Sequence, residues 1–318
     1  MYHSVFTRFF ACLFTLFLLS AHSYGQEIPD TTDAHRYWQE ATVFQDSSQL
    51  DSAHIYYAKA AEAFWGAAKL QADTMIVRRA YVSAMRAESI LHRKRKYIEA
   101  NLLLKKNIQL MQDLLPGDTK KIVSLWGRTG RNYNYMMKFA DAESAYTRAL
   151  DMHLAQAEAT SYRQAQLLID RGVVKREQGK WEEALNDLSS AKDLSTEGKN
   201  ASFKPIILFH IGMTYLRKKS YDEAVPYFLS SAELFEQADP PSPEVGKAYG
   251  NLNFCLRRQG RYQEALVYAD KCIQALERGF GKESALYARA LMGKVSVYIP
   301  TGNYIDAEKY TREALNIT

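Results

Sequence analysis

Apolar and small residues recur along this chain with the spacing of α-helices. In the clearest copy of the pattern, Gly260 comes before an aromatic residue, Tyr262, and alanine follows three positions later at Ala265. The same arrangement is centred on seven landmark residues, which are Leu50, Tyr97, Phe139, Trp181, Tyr221, Tyr262 and Tyr304. A motif that returns at a near-constant interval predicts a repeat architecture, in which each repeat is one small structural unit.

The residues around each landmark favour helices over strands. The apolar run at 206–209 does not stop at strand length, because Ile211 and Tyr215 continue it with a period near 3.6 residues. Small residues such as Gly130, Gly172 and Gly212 precede the turns, where they allow two helices to approach closely. We therefore predict an all-α chain built from pairs of antiparallel helices.

This arrangement resembles the tetratricopeptide repeat over about residues 33–318. The residues that carry the resemblance are Trp126-Gly130-Tyr133-Ala142-Tyr146-Ala149 and Leu208-Ile211-Gly212-Tyr215-Ala224-Phe228-Ser231. The resemblance implies a right-handed superhelical solenoid of about seven helix hairpins, with repeats near 34–67, 81–114, 123–156, 165–198, 205–238, 246–279 and 288–318. Three residues depart from the pattern, since Lys175 occupies an aromatic position and Glu88 and Asn253 occupy small ones. We expect these departures to weaken their own repeats.

The spacing between landmarks indicates which type of tetratricopeptide repeat the chain resembles. The intervals are 47, 42, 42, 40, 41 and 42 residues, whereas the basic repeat has about 34. This longer spacing is similar to that of the kinesin-light-chain type of repeat. We expect the additional residues to extend the first helix of each hairpin and the connections between hairpins. Asp33, Asp73 and Asp118 are placed to cap helix starts.

The N-terminus has the features of a secretory signal peptide at residues 1–25, followed by a short leader at 26–32. The apolar run from Phe9 to Leu19 is too short to span a bilayer, and small residues Ser23 and Gly25 precede a plausible cleavage site. The alternative is an uncleaved N-terminal anchor. Either reading predicts an exported protein, in the periplasm, the cell envelope or the extracellular space of a bacterium.

Two cysteines, Cys255 and Cys272, remain after the predicted signal peptide. They fall on the two helices of one predicted hairpin. An oxidising compartment permits a disulfide between them, and the alternative is a pair of small buried thiols.

A stacked helical array presents the first helix of each hairpin on its concave wall. The periodicity places arginine, asparagine and large apolar residues there, and we predict a peptide-binding groove from Arg131, Asn134, Arg176, Phe209, Met213, Arg217, Asn251, Phe254, Arg257 and Arg258. Further wall candidates are His92, Arg93, Arg128, Arg289 and Met292. Arginine suits carboxylates and asparagine can bracket a peptide backbone, so the expected partner is an acidic or C-terminal peptide segment. The competing interpretation is a solvated helix face with no partner.

Other functional classes find no support in the sequence. The formal charge of +5 is mild and no basic-aromatic stripe is present, so we expect no nucleic-acid partner. The histidines that follow the signal segment show no HxxxH spacing, and nucleophile and phosphate-binding motifs are absent. We therefore expect no enzyme activity, no metal and no cofactor.

Two functional classes stay open. The chain is either an interaction scaffold acting alone or the sensing or docking arm of a larger protein. The resemblance suggests a caspase-like CHAT domain or a membrane signalling module as the further part. Residues 314–318 end inside the last predicted helix, with no polar helix to cover it. This ending suggests a downstream domain or end-to-end self-association.

Overall fold

The computed structural model describes residues 30–70, 73–157, 159–195, 198–238 and 244–317. Within those ranges the regular structure is entirely helical, which confirms the all-α prediction. Fourteen α-helices and one 3-10 helix follow one another there. The α-helices are α1 Thr32–Asp46, α2 Leu50–Leu70, α3 Thr74–Arg93, α4 Tyr97–Leu114, α5 Thr119–Tyr135, α6 Phe139–Leu154, α7 Ser161–Glu177, α8 Trp181–Asp193, α9 Lys204–Arg217, α10 Tyr221–Glu236, α11 Val245–Arg258, α12 Tyr262–Phe280, α13 Ala285–Tyr298 and α14 Tyr304–Leu315. The 3-10 helix is Gly198–Phe203.

The chain forms two compact units that divide between Met136 and Met137. The first unit contains α1–α5 and the second contains α6–α14. The division falls inside the predicted third repeat, 123–156. The predicted signal peptide at 1–25 and most of the leader lie outside the described residues.

The first unit has a core of alanines around one large aromatic side chain. Tyr57 of α2 is fully buried among Ala41, Ala87 and Ile90. Its hydroxyl accepts a hydrogen bond from Nη1 of Arg86 at 2.9 Å, so this buried polar atom is satisfied. The small residues let α1, α2 and α3 pack closely around the ring.

The second unit has a core of the same kind, in which glycine and alanine face bulky residues. Gly172 of α7 lies against Leu188 of α8, and Gly212 of α9 lies against Phe228 of α10; a Cβ at either glycine would be 3.0 Å from the facing side chain. The predicted close approach at these small positions is thereby confirmed. Bulky residues pack into the gaps between small ones, as ridges pack into grooves.

Helix starts agree with two of the three predicted caps. The Asp73 carboxylate accepts the backbone N–H groups of Met75 and Ile76, and Asp118 accepts that of Lys121. The third prediction is wrong, because α1 begins at Thr32 and Asp33 lies within its first turn, paired with Arg36 at 2.7 Å. An acid in the first turn still favours the helix through its dipole.

The turn inside each predicted hairpin has one backbone conformation. The residue two positions before every landmark has a positive φ of 58–77°, and these residues are Ser48, Arg95, Met137, Gly179, Lys219, Gly260 and Gly302. In the turn after α9, the N–H of Ser220 bonds to the carbonyl of Tyr215 at 2.9 Å, as in a Schellman helix end. Left-handed backbone favours glycine, so the four other residues are strained there.

This strain predicts a stabilising substitution. Lys219→Gly removes the side chain from a residue with φ of 66°, and we expect it to raise the free energy of unfolding by about 0.5–1 kcal/mol. Urea unfolding followed by circular dichroism measures the change.

The adjacent lysine supplies the matched control. Lys218 has φ of −69°, so Lys218→Gly gains nothing from relief of strain and should destabilise the chain by about 0.5–1 kcal/mol. Equal effects of the two substitutions would contradict the strain argument.

Candidate functional site

The second unit carries an open cavity of about 630 Å³ on α9, α11 and α13. Each of these helices is the first of its predicted hairpin. The main lining residues are Phe209, Met213, Leu216, Lys247, Gly250, Asn251, Phe254, Arg257, Leu286, Arg289, Met292, Gly293 and Ser296. We call this cavity the α9–α11–α13 groove.

Helical periodicity explains why these side chains share one face. On α11 the lining residues Lys247, Gly250, Asn251, Phe254 and Arg257 follow steps of three and four residues. The opposite face of α11 is buried in the core through Ala248, Leu252 and Leu256 among others. The same helix therefore holds the core with one face and presents the groove with the other.

Large apolar side chains form much of the groove surface. Phe209 packs edge-on against buried Phe228, with ring centroids 5.7 Å apart. Phe254 meets Tyr221 of α10 at 6.2 Å, and Met292 of α13 is 41% exposed. Rigid aromatic and flexible thioether side chains of this kind suit contact with the apolar side chains of a partner.

The groove is positively charged. Lys247, Arg257 and Arg289 line it, and none of the described lining residues is acidic. Arg257 and Arg258 both lie over the ring of Phe254, at 5.3 and 5.4 Å from its centroid. Two guanidinium groups on one ring make a compact cationic and aromatic surface.

Arg257 has a donor without an acceptor. Its Nε is buried and has no hydrogen-bond partner among the described residues. Partial burial lowers the pKa of Arg257, and the neighbouring Arg258 lowers it further. A carboxylate from a ligand beside the guanidinium would offset this like charge.

The cysteines of this region are both free and buried. Cys272 contacts the groove, and its thiol donates to the carbonyl of Gly246 at 3.1 Å. Burial raises the pKa of Cys272 to about 11 and that of Cys255 to about 12. The sequence left open a disulfide or a pair of buried thiols, and the structure has the buried thiols. A raised pKa means that neither thiol is activated for nucleophilic chemistry.

The structure brings together half of the residues predicted for the groove. Phe209, Met213, Asn251, Phe254 and Arg257 all line it. The Asn251 amide donates to the carbonyl of Lys247 at 3.0 Å and leaves its oxygen available.

The other predicted residues lie elsewhere. Arg258 lies over the Phe254 ring but does not line the groove, and Arg217, the last residue of α9, is 3.8 Å from Glu177. Arg176 is buried and donates to Glu177 at 2.8 and 3.0 Å. The remaining pair, Arg131 and Asn134, belongs to α5 in the first unit.

A partly buried histidine, His210, completes the environment of Arg176. Nη1 of Arg176 donates to Nδ1 of His210 at 3.3 Å. Burial and the Arg176 charge lower the pKa of His210 to about 3, so this imidazole is neutral at pH 7 and can accept the bond.

Sequence reasoning missed Lys247, Leu286 and Ser296 as groove residues. Lys247 lies four positions before Asn251, so the same periodicity could have included it. Leu286 and Ser296 sit three positions before Arg289 and four positions after Met292, two wall candidates that do line the groove.

Comparison with known proteins identifies the repeats. A family model described as tetratricopeptide repeat matches residues 163–237, 204–277 and 244–318. Residues 163–318 are tetratricopeptide repeats. Repeats of this family serve as scaffolds for protein–protein interaction.

Solved tetratricopeptide structures extend the likeness to the first unit. A tetratricopeptide repeat protein from Parabacteroides merdae is 13% identical with a TM-score of 0.58, and the match covers 90% of this chain and 93% of that one. BtubC (BKLC) from P. vanneervenii is 17% identical with a TM-score of 0.60, over 70% of this chain and 90% of that one. At these identities the likeness establishes the fold alone.

A third similar structure comes from a putative kinesin light chain. A putative kinesin light chain with nearly identical repeats, from Podospora anserina, is 12% identical with a TM-score of 0.54, over 61% of this chain and 93% of that one. Assignment of this tetratricopeptide chain to the kinesin-light-chain subtype stays a prediction. A search of curated sequences gives no significant match.

The described part of the molecule has no candidate membrane span and no candidate metal cluster. No helix there is both long and apolar enough to cross a membrane. The same residues contain no group of three or more His, Cys, Asp or Glu side chains placed to hold a metal ion.

Proposed function

We propose that the second unit binds an extended, acidic polypeptide segment in the α9–α11–α13 groove. The observation that carries this proposal is the composition of the groove, whose described lining has three cations and no acid and holds the Arg257 guanidinium against the Phe254 ring. A carboxylate of the partner would meet Arg257 and Arg289, while Phe209, Met213 and Phe254 would contact its apolar side chains.

Asn251 favours a peptide over a compact ligand. Its side chain lies between Lys247 and Phe254 on the groove face of α11. An amide can donate to a backbone carbonyl and accept from a backbone N–H, so it recognises an extended main chain of any sequence. The apolar and cationic residues would then select the side chains.

The proposal predicts a charge-dependent loss of binding. Decapeptides that alternate Phe or Leu with Asp or Glu serve as probes, and isothermal titration measures their affinity for residues 26–318. Replacing both Arg257 and Arg289 with alanine should weaken binding by about 10- to 100-fold, because two charge-assisted contacts are lost. Raising the salt concentration should weaken the wild-type complex and have less effect on the variant.

The control is Arg278→Ala on α12, which removes one charge from an exposed side chain outside the groove lining. It should leave affinity unchanged. The groove assignment is wrong if this control weakens binding as much as the double variant, or if peptides with Asn and Gln in place of the acids bind equally well. A peptide with a C-terminal amide separates recognition of acidic side chains from recognition of a chain end.

We also propose that residues 1–25 export the chain. The apolar run at 9–19 and the small residues before position 26 support this reading. Cell fractionation of the full chain and of a version lacking 1–25 tests it. Recovery of both in the cytoplasm would count against export.

A further inference from the structure

The first unit has a cavity of its own, with a volume of about 370 Å³. Its lining residues are His35 and Trp38 of α1, Phe64 of α2, and Met75, Arg78, Arg79 and Val82 of α3. None of these residues belongs to the α9–α11–α13 groove. We call this cavity the α1–α3 pocket.

The body of the α1–α3 pocket is apolar. Phe64 is 2% exposed and meets the His35 ring edge-on, with centroids 5.1 Å apart. Trp38 is held against buried Tyr57 at 5.2 Å. At the surface, Met75 is 58% exposed and Val82 is 41% exposed. A cavity with a rigid aromatic wall and this volume is within the size range of sites for small molecules, about 300–1,000 Å³.

The hydrogen bonds of His35 determine its tautomer and position one arginine. Its Nδ1 lies 2.8 Å from the carbonyl oxygen of Thr31, so Nδ1 carries the proton and donates. Its Nε2 is then the acceptor for Nη1 of Arg79. Burial lowers the pKa of His35, and the Arg79 charge lowers it further. A neutral His35 therefore holds the Arg79 guanidinium beside the pocket without neutralising its charge.

The arginines of the pocket lack acidic partners. Among the described residues, no carboxylate is within ion-pair distance of Arg78 or Arg79. The acid before α3, Asp73, is occupied by the N–H groups of Met75 and Ile76. The acid at the start of α1, Asp33, is paired with Arg36. Two uncompensated positive charges at an aromatic cavity favour an anion with an apolar body.

We propose that the α1–α3 pocket binds a small organic acid, with an aromatic or aliphatic body and one carboxylate. The apolar body would lie against Trp38 and Phe64, and the carboxylate would meet Arg78 and the free edge of Arg79. The planar guanidinium suits a carboxylate because it offers two parallel N–H donors. This site is independent of the peptide groove, and neither proposal requires the other.

Titration of residues 26–318 with 4-phenylbutyrate tests the proposal, with Trp38 fluorescence and calorimetry as readouts. For a ligand of this size we expect a Kd of about 0.1–1 mM. The neutral amide of the same compound should bind at least about tenfold more weakly, since it lacks the charge that Arg78 recognises. The fluorescence change should disappear in Trp38→Phe while the heat of binding remains.

Two arginines on the same helix provide a matched pair of variants. Arg78→Gln removes a pocket charge and should weaken binding by about tenfold. Arg93→Gln removes an exposed charge from the last turn of α3, away from the pocket lining, and should leave binding unchanged. Equal binding of acid and amide, equal effects of the two variants, or no binding at 10 mM would each overturn the proposal.

The carboxylate could belong to a small organic acid or to the C-terminus of a peptide. A second titration, with a peptide, distinguishes these two sources. An N-acetylated pentapeptide ending in phenylalanine carries the same chemistry on a chain terminus. If this peptide binds through Arg78 and 4-phenylbutyrate does not, the assignment to a small organic acid is wrong.

Discussion

Asp187→Ala should lower the free energy of unfolding of this chain by about 3–5 kcal/mol, because it leaves two cations without their shared counter-ion. The Asp187 carboxylate on α8 accepts two parallel bonds from Arg171, from Nε and Nη2, each at 2.8 Å. Nζ of Lys175 lies 3.1 Å from the same carboxylate. The Asp187 side chain is 8% exposed, and those of Arg171 and Lys175 are 16% and 11% exposed. Water can therefore do little to compensate Arg171, and Lys175 keeps only Glu183, 3.5 Å away with a side chain that is 55% exposed.

Urea unfolding of the variant and the parent measures this effect. The control is Glu62→Ala, which breaks the Lys106–Glu62 pair at 2.6 Å, whose side chains are 52% and 63% exposed. Exposed pairs contribute about 0–1 kcal/mol, so this control should change stability very little. A loss at Asp187 no larger than the loss at Glu62 would contradict the argument.

A second variant separates loss of the carboxylate from loss of packing. Replacing Arg171, Lys175 and Asp187 together with Met, Tyr and Leu removes the three buried charges and leaves only Glu183, the 55% exposed second partner of Lys175. A buried ion pair exchanged for apolar residues of similar volume is often neutral or stabilising. We expect the triple variant to recover most of the stability that Asp187→Ala loses.

The three departures from the repeat pattern all have polar partners in the structure, and their effect on repeat stability stays a prediction. Lys175 belongs to the buried Asp187 cluster. Glu88 is 1% exposed and pairs with Arg128, and it also accepts from Asn132 at 3.3 Å. Asn253 donates to the carbonyl of Ala265 at 2.8 Å. Each polar residue at a small or aromatic position has a partner.

The partners of these residues could not be deduced from one repeat. Asn132 lies 44 positions after Glu88 and 31 after Asn101, whose side-chain oxygen accepts a bond from it at 3.0 Å. A pattern that compares equivalent positions detects that Glu88 is unusual. It does not indicate which residue of the next hairpin compensates for it.

The fold was predictable because it repeats, and the groove was predictable only in part. The period placed α9, α11 and α13 on one wall and selected their outward faces. It could not separate Arg257, which lines the groove, from Arg176, which Glu177 and His210 cover. Whether an arginine on such a face is free depends on its neighbours, which for Arg176 are the adjacent Glu177 and His210 of the following hairpin.

The α1–α3 pocket was missed for a related reason. The first hairpin has the weakest copy of the motif, with Leu50 in place of an aromatic landmark. The residues that form the pocket, such as Trp38 and Arg78, lie before the turn and carry no repeat signature. Their proximity arises from packing of α1 against α3, which the spacing did not reveal.

Two glycines on α11 should respond to alanine with opposite signs. A Cβ at Gly246 would lie 2.6 Å from both Cγ and Cδ2 of Leu276, a residue only 4% exposed on α12. A Cβ at Gly250, one turn later, would meet only Sγ of Cys272 at the ordinary contact distance of 3.5 Å. The two glycines lie on the same helix and receive the same substitution. The main difference between them is the space that the neighbouring helix leaves for the new Cβ.

Gly246→Ala should lower the free energy of unfolding by up to about 2 kcal/mol, because overpacking costs about 1–3 kcal/mol and improved helix propensity returns about 1 kcal/mol. Gly250→Ala keeps the propensity gain without the clash and should stabilise by up to about 1 kcal/mol. Thermal and urea unfolding of both variants show whether each one is less stable or more stable than the parent. Adding Gly246→Ala to Leu276→Ala provides the final test, because the truncated side chain leaves room for the new Cβ. If Gly246→Ala costs as much in that background as in the parent, the close contact between α11 and α12 is not the cause of its effect.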